Sequence, residues 1–370
     1  MDDLYTRLLE RLRQEYVPYH VIWELTHRCN LDCIMCYNAP VARPELSLVE
    51  GCSILEQLAA AGTLRLTLTG GEVLTSVSFF PLATYARQMG FALNIKTNAT
   101  LITPNTADRL AALEPIQVDV SLLAATAETT DRITQRRRSL ERTLRGISLL
   151  VERGVPVKLN SLLMGINLAE SEALVSLARS LGLPHEQFVK ISPDDQGTPK
   201  AAQYQISREA MTNLYTTNLN SCGQGDGPTE RTCQVGMGSC LISPDGIVYP
   251  CIELRIPLGD LRQQTFADIW QSSPHLQQLR RLHTRSHLHT CSGCELIEYC
   301  EGRCAGLAFK ESGDWLAADT LACYQAQARF AHLHPERAVP TTPHLAKLES
   351  MSESVASTQP VHVYPIDLTL

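Results

Sequence analysis

The chain has 370 residues, of which 44% are hydrophobic, so it is long and apolar enough for a large catalytic domain and a smaller one. Its formal net charge of −7 excludes a general nucleic-acid binder, which would carry a basic surplus. No signal peptide and no run of roughly 18 apolar residues is present, which predicts a cytoplasmic protein without a membrane segment. In a reducing compartment, 13 cysteines indicate metal or catalytic sites rather than disulfides.

The first half of the chain alternates between strand and helix patterns. A helix is predicted over residues 3–16, and the apolar strand at 21–25 runs directly into the first cysteines. Further strands are predicted at 65–68, 92–96, 117–121, 157–163 and 188–191, and helices at 47–61, 77–89, 104–112, 139–153 and 169–181. Six strands at this spacing are too few for a closed eight-stranded barrel. They predict a partial (β/α)6 barrel whose site lies at the C-terminal ends of the strands.

The composition changes after the barrel. Residues 193–231 are rich in Pro, Gly, Asp, Asn and Thr and are predicted to form a linker with one helix at 207–219. The next segment is loop-rich and cysteine-dense, which predicts a small domain that needs metal to fold. The predicted segments are an N-terminal helix (1–19), the barrel (20–192), the linker (193–231), the cysteine-rich domain (232–334) and a loosely ordered tail (335–370).

Three cysteines form a CxxxCxxC pattern at the end of the first strand. Cys29, Cys33 and Cys36 are close enough in sequence to surround one corner of a cubane iron–sulfur cluster, leaving the fourth iron without a protein ligand. An open iron is what a chelating substrate needs. A zinc knuckle remains open as an alternative, but it needs a fourth local ligand, and His27 precedes the loop on the strand side.

Polar residues follow the ends of successive predicted strands near these cysteines. Tyr37 follows the last cysteine directly, and the second strand ends in Thr69-Gly70-Gly71-Glu72. Two glycines allow close approach of the backbone to a ligand, and Glu72 offers a carboxylate for an ammonium group. The third and fourth strands end near Asn98 and Ser121. Together these residues predict a ligand site at the strand ends.

With these motifs, residues from about 20 to 190 resemble the radical S-adenosylmethionine (SAM) superfamily. The resemblance implies that the open iron is chelated by the methionine part of SAM, and that reductive cleavage yields a 5′-deoxyadenosyl radical that abstracts a substrate hydrogen. It also implies a flavodoxin or ferredoxin-type reductant. The implied SAM contacts are Tyr37 along the adenine, Gly70, Gly71 and Glu72 at the methionine amine, and Asn98 and Ser121 near the ribose or carboxylate.

The sequence departs from the superfamily at two places. Many relatives read Ser-Leu-Asp after the fourth strand, whereas this chain reads Ser121-Leu122-Leu123. Relatives often carry Arg-Gly in the following loop, where this chain has Arg136-Arg137-Arg138. Arg136 and Arg137 are therefore both candidates for the SAM carboxylate, and the run also fits a solvated helix end.

Eight further cysteines lie between residues 233 and 323. A hairpin with its turn at 244–246 is predicted to project Cys240 and Cys251 toward one site. Eight thiolates suffice for two fully ligated sites, and zinc ribbons use the same number. The eight are Cys233, Cys240, Cys251, Cys291, Cys294, Cys300, Cys304 and Cys323.

This arrangement is similar to the SPASM domain, which follows radical SAM barrels and holds two auxiliary [4Fe–4S] clusters. The resemblance implies interleaved ligands and three [4Fe–4S] clusters in total. The inner cluster would be held by Cys233, Cys240, Cys251 and Cys304, and the outer one by Cys291, Cys294, Cys300 and Cys323. Because every ligand position is a cysteine, both clusters would be closed, which favours electron transfer or a structural role.

The resemblance predicts an oxidative modification or crosslink of a ribosomally made peptide or protein. An anaerobic sulfatase maturase is the alternative. In that family an Asp directly follows the hairpin cysteine as the base, whereas here Ile252 intervenes and Glu253 is the candidate base. A radical enzyme acting on a small molecule is a third interpretation. A non-catalytic iron–sulfur protein is disfavoured by the complete Gly-Gly-Glu segment.

The predicted partners follow from these interpretations. About 20 residues precede the barrel, too few for a leader-recognition domain. A precursor peptide is therefore expected to need a separate recognition protein, or to bind the barrel or tail directly. No nucleic acid and no membrane partner is predicted.

Overall fold

The computed structural model describes residues 4–38, 43–194, 199–217, 233–300 and 302–346. Most of the predicted linker after residue 217, and the predicted tail beyond residue 346, lie outside these residues. None of the cysteines that the structure describes forms a disulfide.

The described strands form one mixed sheet, in which six parallel strands follow the order of the chain. The order across the sheet is β6-β5-β4-β3-β2-β1-β7-β8-β9. Strand β7 pairs parallel to β1, and β8 and β9 continue antiparallel. The strands are β1 (His20–Glu24), β2 (Arg65–Thr69), β3 (Ala92–Thr97), β4 (Gln117–Ser121), β5 (Val157–Leu162), β6 (His185–Phe188), β7 (Ser239–Ile242), β8 (Ile247–Tyr249) and β9 (Gly259–Asp260). The predicted partial barrel is confirmed.

The two faces of the parallel strands differ because side chains alternate along each strand. One face is apolar and almost fully buried, and it forms the core against the helices. The other face carries the polar residues of the same strands, among them Asn94, Lys96 and Asp119. The apolar face includes Val21, Trp23, Leu66, Leu68, Leu93, Ile95, Val118 and Val120.

Helices follow the strands, and several begin at a residue whose side chain caps them. Ser47 and Glu50 form a reciprocal capping box at the start of α2, and Thr103 caps α4. The described helices are α1 (Leu4–Gln14), α2 (Leu48–Ala60), α3 (Phe79–Gln88), α4 (Pro104–Ala112), α5 (Ala127–Thr134), α6 (Ser139–Val151), α7 (Ser171–Ser180), α8 (Arg208–Thr217), α9 (Phe266–Ser272), α10 (Pro274–Leu282), α11 (Ala305–Ser312) and α12 (Thr320–Leu333). In the part of the chain that the structure describes, none is long and apolar enough to cross a membrane.

The segment that was predicted to be loop-rich contains the four helices α9–α12, and two elements of the barrel also differ from the sequence prediction. Helix α5 was not predicted, because four of its eight residues are threonine or isoleucine, which disfavour helix. Thr126 nevertheless caps its first turn. Strand β6 begins three residues before the predicted apolar run, at His185, because an edge strand pairs on one side only and tolerates polar residues.

The chain divides into two compact units. Unit 1 comprises the described residues up to Gln205 together with Val235–Gln277, and unit 2 comprises those of Ile206–Gln234 and from Gln278 onward. The hairpin strands β7 and β8, which the sequence analysis assigned to the cysteine-rich segment, therefore belong to unit 1. The reason is the pairing of β7 with β1, which extends the barrel sheet.

Candidate active site

The loop that carries Cys29, Cys33 and Cys36 has a fixed backbone. Cys29 and Cys36 are exposed and Cys33 is half-buried. A turn joins the last two cysteines, with the Cys36 N–H donating to the Cys33 carbonyl at 3.0 Å. The amide of Leu31 donates to the Cys29 Sγ at 3.4 Å.

The end of α5 holds this cysteine loop. The Asp32 amide donates to the Thr134 carbonyl at 3.1 Å, and the Ile34 amide to the Ile133 carbonyl at 3.0 Å. Cys33, Ile34 and Met35 also pack against an apolar cluster that includes Ile133. The helix that sequence reasoning missed therefore determines where the three thiols lie.

The three thiols affect one another's ionisation. Burial raises the pKa of Cys33 to about 12, and the neighbouring Cys36 and Cys29 add to that rise. Burial also raises the pKa of Cys29. Three thiolates gathered at this point repel one another and need a positive centre to neutralise them. The donor set, three thiols on one short loop that form no disulfide, fits one corner of an iron–sulfur cubane.

The glycines after β2 are required by packing against the segment that precedes Cys29. The Gly71 amide donates to the Thr26 carbonyl at 2.8 Å. A Cβ atom on Gly70 would lie 2.4 Å from the Thr26 carbonyl oxygen, and one on Gly71 would lie 2.5 Å from that of Arg28. Gly70 also has a φ of +154°. The two glycines thus let the β2 end close against the cysteine loop.

Glu72 connects the ends of β2 and β3. Its side chain is 1% exposed, and its carboxylate accepts hydrogen bonds from the Thr97 Oγ1 at 2.7 Å, the Asn98 amide at 2.7 Å and the Leu74 amide at 3.1 Å. Burial raises its pKa above the ordinary glutamate value, against the lowering effect of these donors. The sequence predicts that this carboxylate binds an ammonium group of a ligand. In the structure it instead accepts three hydrogen bonds from the protein itself.

Asn98 links β3 to the cysteine loop. Its Oδ1 accepts from the Thr100 amide at 2.9 Å, and its Nδ2 donates to the Asn30 Oδ1 at 3.1 Å. The same Nδ2 lies 3.9 Å from the Cys29 Sγ. Asn98 is therefore positioned beside the first thiol. Ser121 ends β4 and is exposed.

The predicted arginines lie in the turn between α5 and α6. Arg136 and Arg137 are both exposed, and the Arg136 guanidinium donates to the Gln135 carbonyl at 3.1 Å. Gln135 and Arg138 both have left-handed backbone conformations, with φ of 55° and 61°. This turn directly follows the α5 residues that hold the cysteine loop.

A buried ion pair beside Tyr37 was not visible in the sequence. Glu24, fully buried at the end of β1, receives two hydrogen bonds from the Arg255 guanidinium at 2.8 and 3.1 Å. The Tyr37 hydroxyl donates to the same carboxylate at 3.4 Å, and the Arg255 guanidinium lies 5.9 Å from the Tyr37 ring centroid. The pair joins the segment after Cys36 to the segment after Cys251.

Glu253, the predicted base, is engaged by neighbouring residues. The Ser192 hydroxyl lies 2.7 Å from both of its carboxylate oxygens, and the Lys190 ammonium lies 3.8 Å from Oε1. A carboxylate held by a hydroxyl and a cation is a weaker proton acceptor than a free one. These contacts favour a structural link between the two segments over the role of a base.

The polar face of the sheet carries opposite charges on neighbouring strands. Lys96 lies 3.6 Å from Asp119, which also accepts from the Asn94 amide group at 2.9 Å. Burial alone would raise the pKa of Asp119, but Asn94 and Lys96 hold it below its ordinary value. Lys158 on β5 pairs in the same way with Glu186 on β6. The face is polar with paired charges rather than basic or acidic.

Two of the eight later cysteines belong to unit 1. Cys240 is buried in β7, and burial raises its pKa. Cys251 follows β8, and its Sγ accepts from the Leu254 amide at 3.3 Å. Neither forms a disulfide.

Unit 2 gathers the four cysteines predicted for the outer cluster. Burial raises the pKa of Cys291 to about 11, and Cys300 and Cys294 add to the rise. Burial likewise raises the pKa of Cys323 to about 12, with contributions from Cys291 and Cys300. Cys291 and Cys300 thus interact electrostatically with each other and with the remaining thiols of this set, and the assignment of all four to one cluster stays a prediction. Cys304 and Cys233 are the other two thiols of this unit among the residues that the structure describes.

Two known domain families match the parts of the chain that contain these two groups of cysteines. Residues 23–178 match the radical SAM superfamily, and residues 233–295 match the SPASM iron–sulfur cluster-binding domain. The chain is a radical SAM enzyme with a SPASM domain. The fold and the family predicted from the sequence are therefore confirmed.

This radical SAM enzyme is similar over most of its length to enzymes with different names. It is 29% identical to the AdoMet-dependent heme synthase of Methanosarcina barkeri over 83% of this chain and 97% of that protein. It is 27% identical to the mycofactocin maturase MftC of Mycobacterium tuberculosis over 82% of each chain. The activities for which these two relatives are named therefore differ.

Solved structures show the same fold. Streptococcus suis SuiB bound to the precursor peptide SuiA has a TM-score of 0.64 at 18% identity, covering 86% of this chain and 80% of that one. Native anSMEcpe with bound AdoMet also has a TM-score of 0.64, at 14% identity, covering 90% and 99%.

Proposed function

We propose that this enzyme reductively cleaves SAM at a [4Fe–4S] cluster held by Cys29, Cys33 and Cys36 and oxidatively modifies or crosslinks a peptide. When bound, the cluster and SAM supply a 5′-deoxyadenosyl radical that removes a hydrogen atom from the substrate. The protein supplies position and exclusion of water. The proposal is supported by the family match and by the hydrogen bonds with which the end of α5 holds the cysteine loop.

The strand ends around the cysteine loop supply the proposed SAM contacts. Tyr37, fixed by Glu24, would contact the adenine, and the backbone at Gly70–Glu72 would face the methionine amine. The Glu72 carboxylate would hold this backbone in place rather than contact SAM, because its oxygens already accept hydrogen bonds from Thr97 and Asn98. The remaining proposed contacts are Asn98, Ser121, Arg136 and Arg137.

The SPASM domain is proposed to hold two further clusters. The outer one uses the four interacting thiols of unit 2, and the inner one uses Cys233, Cys240, Cys251 and Cys304. Three cubanes predict about 12 irons per chain, and replacing Cys291, Cys294, Cys300 and Cys323 by Ala predicts about 8. Zinc in the SPASM domain would leave about 4 irons, and measurement of iron and zinc per chain distinguishes the two cases.

The polar face of the sheet is the observation that favours a peptide substrate. Its charges lie in pairs on neighbouring strands, as in Lys96–Asp119 and Lys158–Glu186, and these side chains are partly exposed except that of Asp119, which is buried. Such a surface offers donors and acceptors for a peptide backbone and polar side chains. A large apolar ligand instead prefers a pocket with mostly hydrophobic walls. The similarity to the mycofactocin maturase agrees with this choice.

A tetrapyrrole is the second candidate substrate, because the chain is also similar to an AdoMet-dependent heme synthase and to an Fe-coproporphyrin III synthase. The two candidates are separated by two measurements on the reconstituted enzyme. In the first, the enzyme is incubated anaerobically with SAM, a reductant and each short peptide encoded beside its gene, and the peptides are analysed by mass spectrometry. In the second, it is titrated with iron-coproporphyrin III and with haem while the Soret band is recorded.

The proposal predicts that the mass of one of these peptides falls by the mass of the hydrogen atoms removed, whether or not a crosslink forms. It also predicts that the Soret band does not shift. A saturable Soret shift with turnover of the porphyrin, and no modified peptide, would overturn the peptide assignment. The cleavage of SAM would stand in either case.

A further inference from the structure

An exposed cluster of arginines lies on α5, on α6 and in the turn between them. Residues 128–145 contain six arginines and only three carboxylates, in a chain whose net charge is −7. All six arginines are exposed. This surface, called the arginine patch below, consists of Arg132, Arg136, Arg137, Arg138, Arg142 and Arg145.

The carboxylates of this region do not neutralise the arginine patch. Glu141 pairs with Arg138 at 2.8 Å, but Asp131 accepts from the backbone amides of Arg138 and Ser139. Arg142 donates to the Arg137 carbonyl at 3.1 Å, which stabilises the turn without cancelling charge. A positive surface on an acidic protein creates a local potential that attracts acidic partners.

The arginine patch adjoins the cysteine loop. The carbonyls of Ile133 and Thr134, at the end of α5, accept the amides of Ile34 and Asp32 on either side of Cys33. Arg132 and Arg136 flank these two residues in sequence, one before and one after. A protein bound to the arginine patch would therefore lie beside the loop that holds the cluster.

We propose that the arginine patch is the docking surface for an acidic one-electron carrier protein that reduces the cluster held by the cysteine loop. The inference deepens the proposed function, because that function consumes one electron per SAM cleaved. The carrier loses one electron and the cluster gains it, with no atom transferred. A nucleic acid is the poorer fit, because it cannot supply the electron that the proposed function consumes and because a long polyanion would also meet the rest of a chain whose net charge is −7.

The test uses charge reversal away from the proposed SAM contacts. The triple variant Arg132→Glu, Arg142→Glu, Arg145→Glu is compared with the wild type and with Arg179→Glu. Arg179 is an exposed arginine of α7, outside the patch. Two quantities are measured with the reconstituted enzyme at low ionic strength: the Kd for oxidised flavodoxin, an acidic flavoprotein, and the rate of cluster bleaching by reduced flavodoxin. Reduced methyl viologen, a small one-electron donor, serves as the second reductant.

The proposal predicts that the triple variant binds flavodoxin about ten-fold more weakly and is reduced by it about ten-fold more slowly. Its reduction by methyl viologen stays within about two-fold of the wild type, and Arg179→Glu resembles the wild type in every measurement. Added salt should weaken the binding of flavodoxin to the wild type and narrow the difference between it and the triple variant.

Three results would overturn the inference. These are no binding of flavodoxin by the wild type, binding of flavodoxin by the triple variant as tight as that by the wild type, and an equal loss of reduction by both donors in the triple variant, which would indicate a structural defect. Loss of binding to a DNA oligonucleotide, with flavodoxin binding unchanged, would assign the patch to nucleic acid. Failure of methyl-viologen-reduced wild type to cleave SAM would instead contradict the proposed function, so the two failures are distinguishable.

Discussion

Two glutamates at the strand ends show how burial acts on a single residue. Glu24 and Glu72 are both almost completely buried, yet their pKa values shift in opposite directions. Burial would raise both, but the pKa of Glu24 is lowered by hydrogen bonds from His27 and Arg255 and by the charge of Arg255. Glu72 has neutral donors only, so burial prevails. Sequence reasoning found Glu72 from its motif, but it could not pair Glu24 with a residue 231 positions away.

The Glu24–Arg255 pair should behave as a coupled unit. Replacing one partner, as in Arg255→Met or Glu24→Gln, leaves a buried group without its partner. We expect Arg255→Met to lower the free energy of unfolding in urea by about 3–5 kcal/mol. The double variant should be less destabilised than the sum of the single variants, because neither charge remains buried alone. Additive effects would contradict the coupling.

His20 should make stability depend on pH. Burial, together with the charges of Arg65 and Lys96, lowers its pKa from 6.5 to about 4. Between these values the unfolded chain binds a proton that the native protein does not, so stability falls as the pH is lowered. The loss contributed by His20 amounts to about 3 kcal/mol over this range. His20→Gln should remove that part of the slope in urea unfolding measured between pH 7 and pH 4, and an unchanged slope would contradict the assignment.

At the scale of elements, hydrophobic patterns predicted the first five strands and the helices of the barrel other than α5. The predicted bounds of α4 and β4 coincide with the structure. Prediction failed where local preference and tertiary contacts disagree. The threonines of α5 disfavour helix, but packing of Ile133 against the apolar cluster stabilises it. The polar edge strand β6 lacks the apolar alternation that marks the other strands.

The contact between the β2 end and the cysteine loop should not tolerate a side chain. In Gly71→Ala the new Cβ would lie 2.5 Å and 2.6 Å from two backbone carbonyl oxygens, which cannot move without displacing the loop. We expect the free energy of unfolding to fall by about 2 kcal/mol or more, and the iron content to fall with it. The control is Gly165→Ala, whose Cβ would lie 3.8 Å from the nearest atom. Equal stability of the two variants would contradict this account.

At the scale of the whole molecule, the sequence predicted the family and the order of the parallel strands but not where the hairpin attaches. The hairpin pattern around residue 245 was read correctly, because turn residues are a local signal. Its parallel pairing with β1 joins residues more than 200 positions apart, and no local pattern specifies which sheet edge accepts a strand. The SPASM match therefore spans part of unit 1 as well as unit 2.

The most direct test of the account is whether the three cysteines of the first loop are needed to cleave SAM. Reconstituted anaerobic protein is reduced with titanium(III) citrate in the presence of SAM, and 5′-deoxyadenosine is measured by liquid chromatography. The account predicts that the wild type forms it and that the variant Cys29→Ala, Cys33→Ala, Cys36→Ala forms none while keeping about 8 irons per chain. Continued formation of 5′-deoxyadenosine by that variant would contradict the central claim.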